Sequence, residues 1–231
     1  MADFTKFQKE IGVNFNNKDI LTQAFVHRSY LNENSKLGMS HNERLEFLGD
    51  AVIELIVTDF LYKNYPNCAE GELTAYRSAL VNANIIGEVA TKLKMNEYLL
   101  LSKGETRDIG KARTYILANT FEAVAGAIYE DQGYESARIF IEKYLCVRID
   151  DIVKHKLWRD AKSLIQEKSQ EHMSVTPVYK VLSESGPDHD KHFTVGIFLG
   201  SDRIAEGKGH SKQIAEQNAA RSALEKKNWL D

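Results

Sequence analysis

The spacing of apolar residues changes once along this chain, near residue 157, and that change constrains the fold more than any other feature. Up to about residue 150 the apolar residues recur three and four positions apart, which is the period of an amphipathic helix. The strongest runs contain no proline. We therefore predict helices, joined by short loops, over 17–30, 43–64, 72–80, 82–94, 113–132 and 134–148.

Beyond residue 157 the pattern becomes mixed. Three segments separated by Gly, Pro, Ser or Asp are typical of strands, at 176–182, 192–199 and 202–206. In the second of them every other residue from Phe193 to Leu199 is apolar, and helical spacing flanks the three strands at 160–170 and 211–227. The order α-β-β-β-α predicts an α+β domain in which two helices cover one face of a sheet. We divide this multi-domain chain into an all-α domain over 1–150, a linker over 151–157 and the α+β domain over 158–231.

Several classes of protein are disfavoured by what the chain lacks. No apolar run reaches the roughly 18 residues of a membrane span, and the longest candidate, from Tyr115 to Tyr129, contains Glu122. The N-terminal residues carry no apolar block typical of a secretory signal, so we expect a cytoplasmic protein with no membrane partner. Cys68 and Cys146 have no metal-binding spacing, which predicts two reduced thiols. The net charge of −3 does not indicate a nucleic-acid binder, so any such claim depends on local residues.

The most informative run is an acidic stripe on the predicted helix 43–64. Four acidic residues spaced by three, four and four positions share one helix face about 80° wide: Glu43, Glu46, Asp50 and Glu54. Like charges at this spacing destabilise a helix by about 0.2–0.5 kcal/mol per pair, and the surrounding apolar residues indicate a largely buried helix. A bound cation explains the stripe economically, and hard oxygen ligands favour Mg²⁺ or Mn²⁺.

Purely structural interpretations stay open for two members of the acidic stripe. Glu43 completes the pattern of a capping box that begins at Ser40. Glu54 fits a solvated or salt-bridged side chain. Glu46 and Asp50 have no such explanation.

A second polar pair lies in the apolar segment 113–132. Asn119 and Glu122 are one helical turn apart among small residues, and small residues imply close helix packing. A buried Glu122 needs a partner. The sequence offers either an arginine, such as Arg44 or Arg77, or the cation of the acidic stripe.

These residues carry a resemblance to a known family. The segment Asn42-Glu-Arg-Leu-Glu-Phe-Leu-Gly-Asp50 resembles the signature of the ribonuclease III family, and Glu70-Gly-Glu-Leu-Thr with Arg77-Ser-Ala-Leu-Val-Asn is similar to its next block. The second domain resembles the double-stranded RNA-binding domain. That likeness is carried by Trp158-Arg-Asp-Ala-Lys-Ser-Leu-Ile-Gln-Glu167, Gly186-Pro-Asp-His189 and Gly207-Lys-Gly-His-Ser-Lys212 with the residues that follow. The resemblance covers nearly the whole chain.

The resemblance implies a homodimeric endonuclease that hydrolyses double-stranded RNA with Mg²⁺, or Mn²⁺ in its place, and no small-molecule cofactor. It implies products with 5′-phosphate and 3′-hydroxyl ends and short 3′ overhangs, in the processing of ribosomal RNA precursors and structured messenger RNA. A metal-activated water would attack phosphorus in line.

The family's metal-binding positions fall on Glu46, Asp50, Asn119 and Glu122, which the resemblance implies as catalytic together with Glu43. Glu43 is usually placed near the RNA or the site in this family, and Glu72 falls at the active-site valley and dimer interface. The family has aspartate where this chain has Asn119. An amide keeps an oxygen acceptor but loses a charge, which weakens a metal site.

In the second domain the resemblance implies three RNA-contacting regions. They are Ser163, Gln166 and Glu167 on the first helix, His189 in the loop after Pro187, and Ser211 with Lys212 at the last helix. Independently, Lys208 and Lys212 stand at the start of that predicted helix, the end that disfavours cations but favours phosphate. The alternative is a pair of ordinary exposed lysines beside an N-cap.

Two other functions remain open on the sequence. One is a non-cleaving double-stranded RNA-binding protein whose site is weakened by Asn119. The other is a structural subunit of a ribonucleoprotein particle that uses the helical domain only to dimerise. Retention of Glu46, Asp50 and Glu122 favours the nuclease.

Overall fold

The computed structural model describes residues 3–107, 110–154, 156, 158, 160–187 and 191–229. The chain forms two compact units, Met1–Trp158 and Arg159–Asp231, which we name the helical unit and the sheet unit. The predicted fold class, an all-α domain followed by an α-β-β-β-α domain, is confirmed.

The described part of the helical unit contains nine α-helices. They are α1 (Phe4–Ile11), α2 (Lys18–Ala24), α3 (Arg28–Glu33), α4 (Glu43–Asn64), α5 (Glu70–Leu80), α6 (Ala83–Lys92), α7 (Lys111–Gln132), α8 (Tyr134–Tyr144) and α9 (Ile149–Lys154). Short 3-10 helices lie at Ser35–Leu37, Met95–Glu97, Glu105–Arg107 and Cys146–Arg148. Within the described ranges no helix is long and apolar enough to cross a membrane.

The core of the helical unit is built around α4 and α7. These two long helices pack against each other, and α2, α6 and α8 pack against α7. Large side chains that are fully buried between them include Phe25, Ile53, Phe121 and Phe140. The predicted bounds of α4, 43–64, are confirmed, because apolar residues at helical spacing continue through a stretch that contains no proline.

The predicted helix 17–30 is wrong, because the chain breaks there into α2 and α3. Val26 forms an isolated parallel bridge with Leu100. The Leu100 N–H donates to the carbonyl of Phe25 at 2.9 Å, and the His27 N–H donates to the carbonyl of Leu100 at 3.1 Å. The backbone groups that would continue α2 are thus used by a distant segment, and the His27 side chain accepts from the Ser29 N–H to start α3.

The end of the helical unit differs from the predicted linker over 151–157. Helix α9 runs to Lys154 with Ile149 and Ile152 buried, and Trp158 packs against the core of the helical unit. Both cysteines are free, as predicted. Burial raises the pKa of the Cys146 thiol to about 12.

The sheet unit consists of α10 (Ala161–Met173), β1 (Pro177–Ser185), β2 (His192–Leu199), β3 (Asp202–Gly209) and α11 (Lys212–Lys227). Its strands form an antiparallel sheet in the order β1-β2-β3, with Val181 opposite Val195 and Val195 opposite Gly207. The predicted inward face of β2 is confirmed, because its alternating apolar residues are buried. They pack with small residues of α11 and with Ile165 of α10.

Candidate active site

Helices α4 and α7 cross with their backbones almost in contact. Gly49 on α4 and Gly126 on α7 have no room for a side chain. A Cβ atom on Gly49 would overlap the carbonyl of Glu122, and one on Gly126 would overlap the carbonyl of Leu45. This close packing, which the small residues of α7 predicted, sets the acidic stripe beside the turn that carries Asn119 and Glu122.

Two carboxylates at this crossing, those of Glu46 and Glu122, are harder to ionise than usual, with raised pKa values. Burial, followed by the negative charges of Asp50 and Glu46, raises the pKa of Glu122 to about 7. Burial also raises the pKa of Glu46, where Glu43 and Asp50 add to the effect and the Asn119 side chain opposes it. The negative charge of Asp50 therefore acts on both Glu46 and Glu122, because like charges repel at short range.

The donor set suits a hard divalent cation. Carboxylate oxygens and the amide oxygen of Asn119 are ligand types that Mg²⁺ and Mn²⁺ accept. In the described ranges no Lys, Arg or His forms an ion pair with Glu46, Asp50 or Glu122. Nor do any three described His, Cys, Asp or Glu side chains form a ready-made metal cage. An ion at the crossing would therefore complete its shell with water, as Mg²⁺ commonly does.

Glu54 belongs to a different contact. Its carboxylate pairs with Arg77 Nε of α5 at 3.1 Å, and Arg77 also donates to Thr58 Oγ1 at 3.0 Å. The salt-bridged interpretation of Glu54 is confirmed. Because Arg77 is engaged there, it is not the partner of Glu122.

Glu43 begins α4 and does not close a capping box. The N-cap residue is Asn42, so the capping box predicted to start at Ser40 is wrong. The Asn42 side chain instead donates to the carbonyl of Ala24 at 3.2 Å, which ties the start of α4 to the end of α2. The exposed Glu43 carboxylate lies 3.9 Å from Arg28 Nη1 and 3.7 Å from His41 Nδ1. Its negative charge also helps to raise the pKa of Glu46, so Glu43 adjoins the crossing.

Glu72 forms a hydrogen bond within its own helix terminus. Its carboxylate accepts from the Ala69 N–H at 3.1 Å and so caps the start of α5. A carboxylate near a helix N-terminus is also favoured by the helix dipole.

The first expected RNA-contacting region lies on α10 of the sheet unit. Ser163, Gln166 and Glu167 are all exposed. The helix begins at the N-cap Asp160, whose carboxylate accepts from the Ser163 N–H at 2.7 Å. His189, the second region, lies outside the described residues.

The third region is the start of α11. Ser211 is its N-cap and accepts from the Ile214 N–H at 3.2 Å, and the exposed Lys212 is its first residue. The placement of Lys208 at the start of this helix is wrong, because Lys208 lies on β3 opposite Thr194. Lys208 is exposed, and its carbonyl accepts from the Asn218 side chain of α11 at 2.8 Å.

The sequence analysis missed an exposed apolar stripe on α4. Phe47 is 81% exposed, Leu55 58% and Tyr62 72%. At about 100° per residue the three fall within about 80° of one another, on the flank of the acidic stripe. The spacing of these residues places them on one helix face, but apolar residues on most sides of a helix favour the interpretation that the whole helix is buried.

Comparison with known proteins gives consistent matches for both units. The Ribonuclease-III-like family matches residues 17–149, and the double-stranded RNA binding motif matches residues 161–227. Ribonuclease 3 of Leptospira interrogans is 44% identical over 216 residues, covering 94% of this chain and 87% of that protein. Ribonuclease 3 of Borreliella burgdorferi is 42% identical over 223 residues, covering 96% of this chain and 91% of that protein.

Solved structures resemble the helical unit. The nuclease domain of ribonuclease III from Campylobacter jejuni is 34% identical, with a TM-score of 0.57 over 63% of this chain and 95% of that one. A second structure of that domain describes flexibility in a region involved in dimer formation, and has a TM-score of 0.56 over 62% of this chain and 99% of that one.

Proposed function

The chain belongs to the ribonuclease III family, and we propose that it hydrolyses double-stranded RNA at the α4–α7 crossing with a divalent cation, Mg²⁺ or Mn²⁺. Family membership makes it an endoribonuclease with a double-stranded RNA-binding domain. The proposed products carry 5′-phosphate and 3′-hydroxyl ends with short 3′ overhangs. The proposed substrates are ribosomal RNA precursors and structured messenger RNA.

One observation carries the assignment of the site. Glu46, Asp50 and Glu122 come from two helices whose backbones are almost in contact. Burial, and after it the negative charge of neighbouring carboxylates, raises the pKa of Glu46 and of Glu122. Burial of like-charged groups together lowers stability, so carboxylates that pair with no cationic side chain in the described ranges need another role. A divalent ion that replaces the missing positive charge supplies one.

The proposed chemistry divides between the cation and the chain. When bound, the cation supplies an acidified water and neutralises charge on the phosphate. Glu46, Asp50 and Glu122 supply the negative charge that attracts it, and Asn119 offers a neutral oxygen. Because the pKa of Glu122 is about 7, its carboxyl holds a proton for part of the time at neutral pH and must release it when a cation binds.

The sheet unit is proposed to hold the duplex. A domain of this type spans about 16 base pairs and recognises the A-form shape through 2′-hydroxyls and phosphates. The exposed Ser163, Gln166 and Glu167 supply hydrogen-bonding groups on α10. Lys212, with the free backbone N–H groups at the start of α11, suits a phosphate. Lys208 adds a charge from β3, and His189 is retained from the resemblance.

We further propose that two copies of the chain associate through α4. The exposed apolar side chains of Phe47, Leu55 and Tyr62 form a patch that water disfavours. Tyr62 also borders a cavity of about 230 Å³ lined by Leu73 and Arg77. Glu72 lies on the neighbouring helix α5, in keeping with the proposal that it belongs to the valley between two copies.

The test is cleavage of end-labelled RNA by the purified chain. Duplex and single-stranded RNA are incubated with Mg²⁺ or with a chelator, and the product ends are mapped. We expect cleavage of the duplex alone, only with Mg²⁺, leaving 5′-phosphates and 3′ overhangs. Cleavage in chelator, or equal cleavage of single strands, would overturn the proposal.

Asn119 favours a second candidate function, a double-stranded RNA-binding protein that does not cleave. The neutral amide leaves the crossing one negative charge short of the family's pattern. The same assay separates the two candidates. Binding without cleavage that is rescued by Asn119→Asp would establish the second.

A further inference from the structure

Three aromatic side chains form a row at the C-terminal end of the helical unit. Tyr65 directly follows the last residue of α4, Tyr76 lies on α5, and Trp158 is the last residue of the unit. The Tyr65 and Tyr76 rings meet edge to face with centroids 5.5 Å apart, and the Tyr76 and Trp158 rings do so at 5.0 Å. Edge-to-face contacts at these distances are favourable.

Trp158 lies where the chain passes from the helical unit to the sheet unit, so its contact also holds the end of the helical unit in place. Helix α9 has already ended at Lys154, and the half-buried Trp158 packs on the periphery of the core. Two residues later Asp160 caps the first helix of the sheet unit. Only residue 159 therefore separates the anchored tryptophan from the next unit.

We infer that Trp158 is a positioning residue that fixes, through Tyr76, the point from which the RNA-binding unit departs. This inference rests on the proposed function, in which one duplex engages both units. The Lys156 N–H donates to the carbonyl of Val153 at 3.1 Å. If Trp158 is released, this bond is the last described contact with the helical unit, and the connection lengthens from residue 159 to 157–159. At about 3.5 Å per residue, this adds up to about 7 Å of reach. A longer tether lowers the effective concentration of one binding unit at a ligand held by the other.

The experiment uses the full chain and three variants. Trp158→Ala removes the anchor, and Trp158→Phe keeps an aromatic ring. The third variant keeps Trp158 and inserts Gly-Ser-Gly-Ser between residues 159 and 160, which lengthens the tether without touching the row. Steady-state cleavage of a duplex of about 40 base pairs, which is longer than the roughly 16 base pairs that one domain of this type covers, gives kcat and KM for each.

We expect Trp158→Ala and the insertion each to raise KM by roughly threefold to tenfold, with kcat within twofold of the parent. Trp158→Phe should recover most of the loss. An unchanged or lower KM in the insertion variant would refute the inference. So would a Trp158→Ala variant that melts at a lower temperature with an unchanged KM, because that is the result of a purely structural contact.

Small-angle scattering of the same proteins without RNA gives a readout independent of cleavage. Both the insertion and Trp158→Ala should raise the radius of gyration relative to the parent and to Trp158→Phe. If the parent cleaves nothing but the radii change in this way, the proposed function fails and the anchor stands. If the parent cleaves duplex RNA and the radii of the parent and Trp158→Ala agree, the anchor fails alone.

Discussion

Replacement of Glu122 by glutamine should stabilise the folded protein at neutral and alkaline pH when divalent cations are absent. The carboxyl has a pKa of about 7 in the folded chain against 4.5 for an unperturbed glutamate. A carboxyl that is harder to ionise in the folded state binds more protons there than in the unfolded chain, so stability falls as pH rises between these two values. The loss of stability caused by ionised Glu122 is absent below about pH 4.5 and complete above about pH 7.

The size of this effect follows from the same two values. At about 1.4 kcal/mol per pKa unit, the difference corresponds to about 3 kcal/mol. The carboxyl is only partly buried, and solvent screening reduces the expected gain to about 1–3 kcal/mol. Glutamine keeps the shape of the side chain, so little is lost through packing.

The assay is urea denaturation in chelator at pH 4.5, 6 and 8, for the parent and for Glu122→Gln. Glu130→Gln, which alters an exposed carboxyl on the same helix, is the matched control and should change stability by less than about 0.5 kcal/mol. The difference in the free energy of unfolding between Glu122→Gln and the parent should be close to zero at pH 4.5 and reach its full value at pH 8. A difference in unfolding free energy that does not depend on pH, or a variant less stable than the parent at pH 8, would falsify the electrostatic reasoning.

Three further predictions follow from the crossing and from the sheet unit. Gly126→Ala should lower the free energy of unfolding by about 1–3 kcal/mol or more, because its Cβ overlaps the carbonyl of Leu45; an unchanged urea midpoint would contradict the close helix approach. Asn119→Asp should reduce the Mg²⁺ concentration needed for half-maximal cleavage by roughly tenfold, since a charged carboxylate in place of a neutral amide strengthens a hard-cation site; an unchanged or higher requirement in a Mg²⁺ titration would count against Asn119 as a ligand. Lys212→Ala should weaken duplex binding and reduce the slope of log affinity against log salt by about 1, measured by fluorescence anisotropy at several salt concentrations; weaker binding with the parent's slope would show that Lys212 does not contact phosphate.

The elements that the sequence predicted well are those fixed by local pattern. The continuous helical run of α4 and the alternation along β2 each bury one face, so periodicity alone locates them. The same logic selected Glu46, Asp50 and Glu122 as candidate site residues, because acidic residues inside apolar helices have few structural explanations. The structure brings the three together at one helix crossing.

Other features depend on contacts between distant segments and could not be predicted in this way. The break after α2 exists because Leu100 occupies backbone groups of Phe25 and His27. Lys208 belongs to a strand because β3 extends along β2, which no local signal marks. The exposed stripe on α4 looks buried in a single chain's sequence, since apolar residues are expected inside unless a partner covers them.

The central claim is that the carboxylates at the α4–α7 crossing bind the cation that cleavage requires. The most direct measurement is the single-turnover cleavage of end-labelled duplex RNA as Mg²⁺ is titrated, for the parent, Glu122→Gln and the control Glu130→Gln. We predict that the parent and the control cleave with the same Mg²⁺ dependence, while Glu122→Gln binds the duplex normally and loses cleavage by more than about 100-fold. Full cleavage by Glu122→Gln at the parent's Mg²⁺ concentration would contradict the claim.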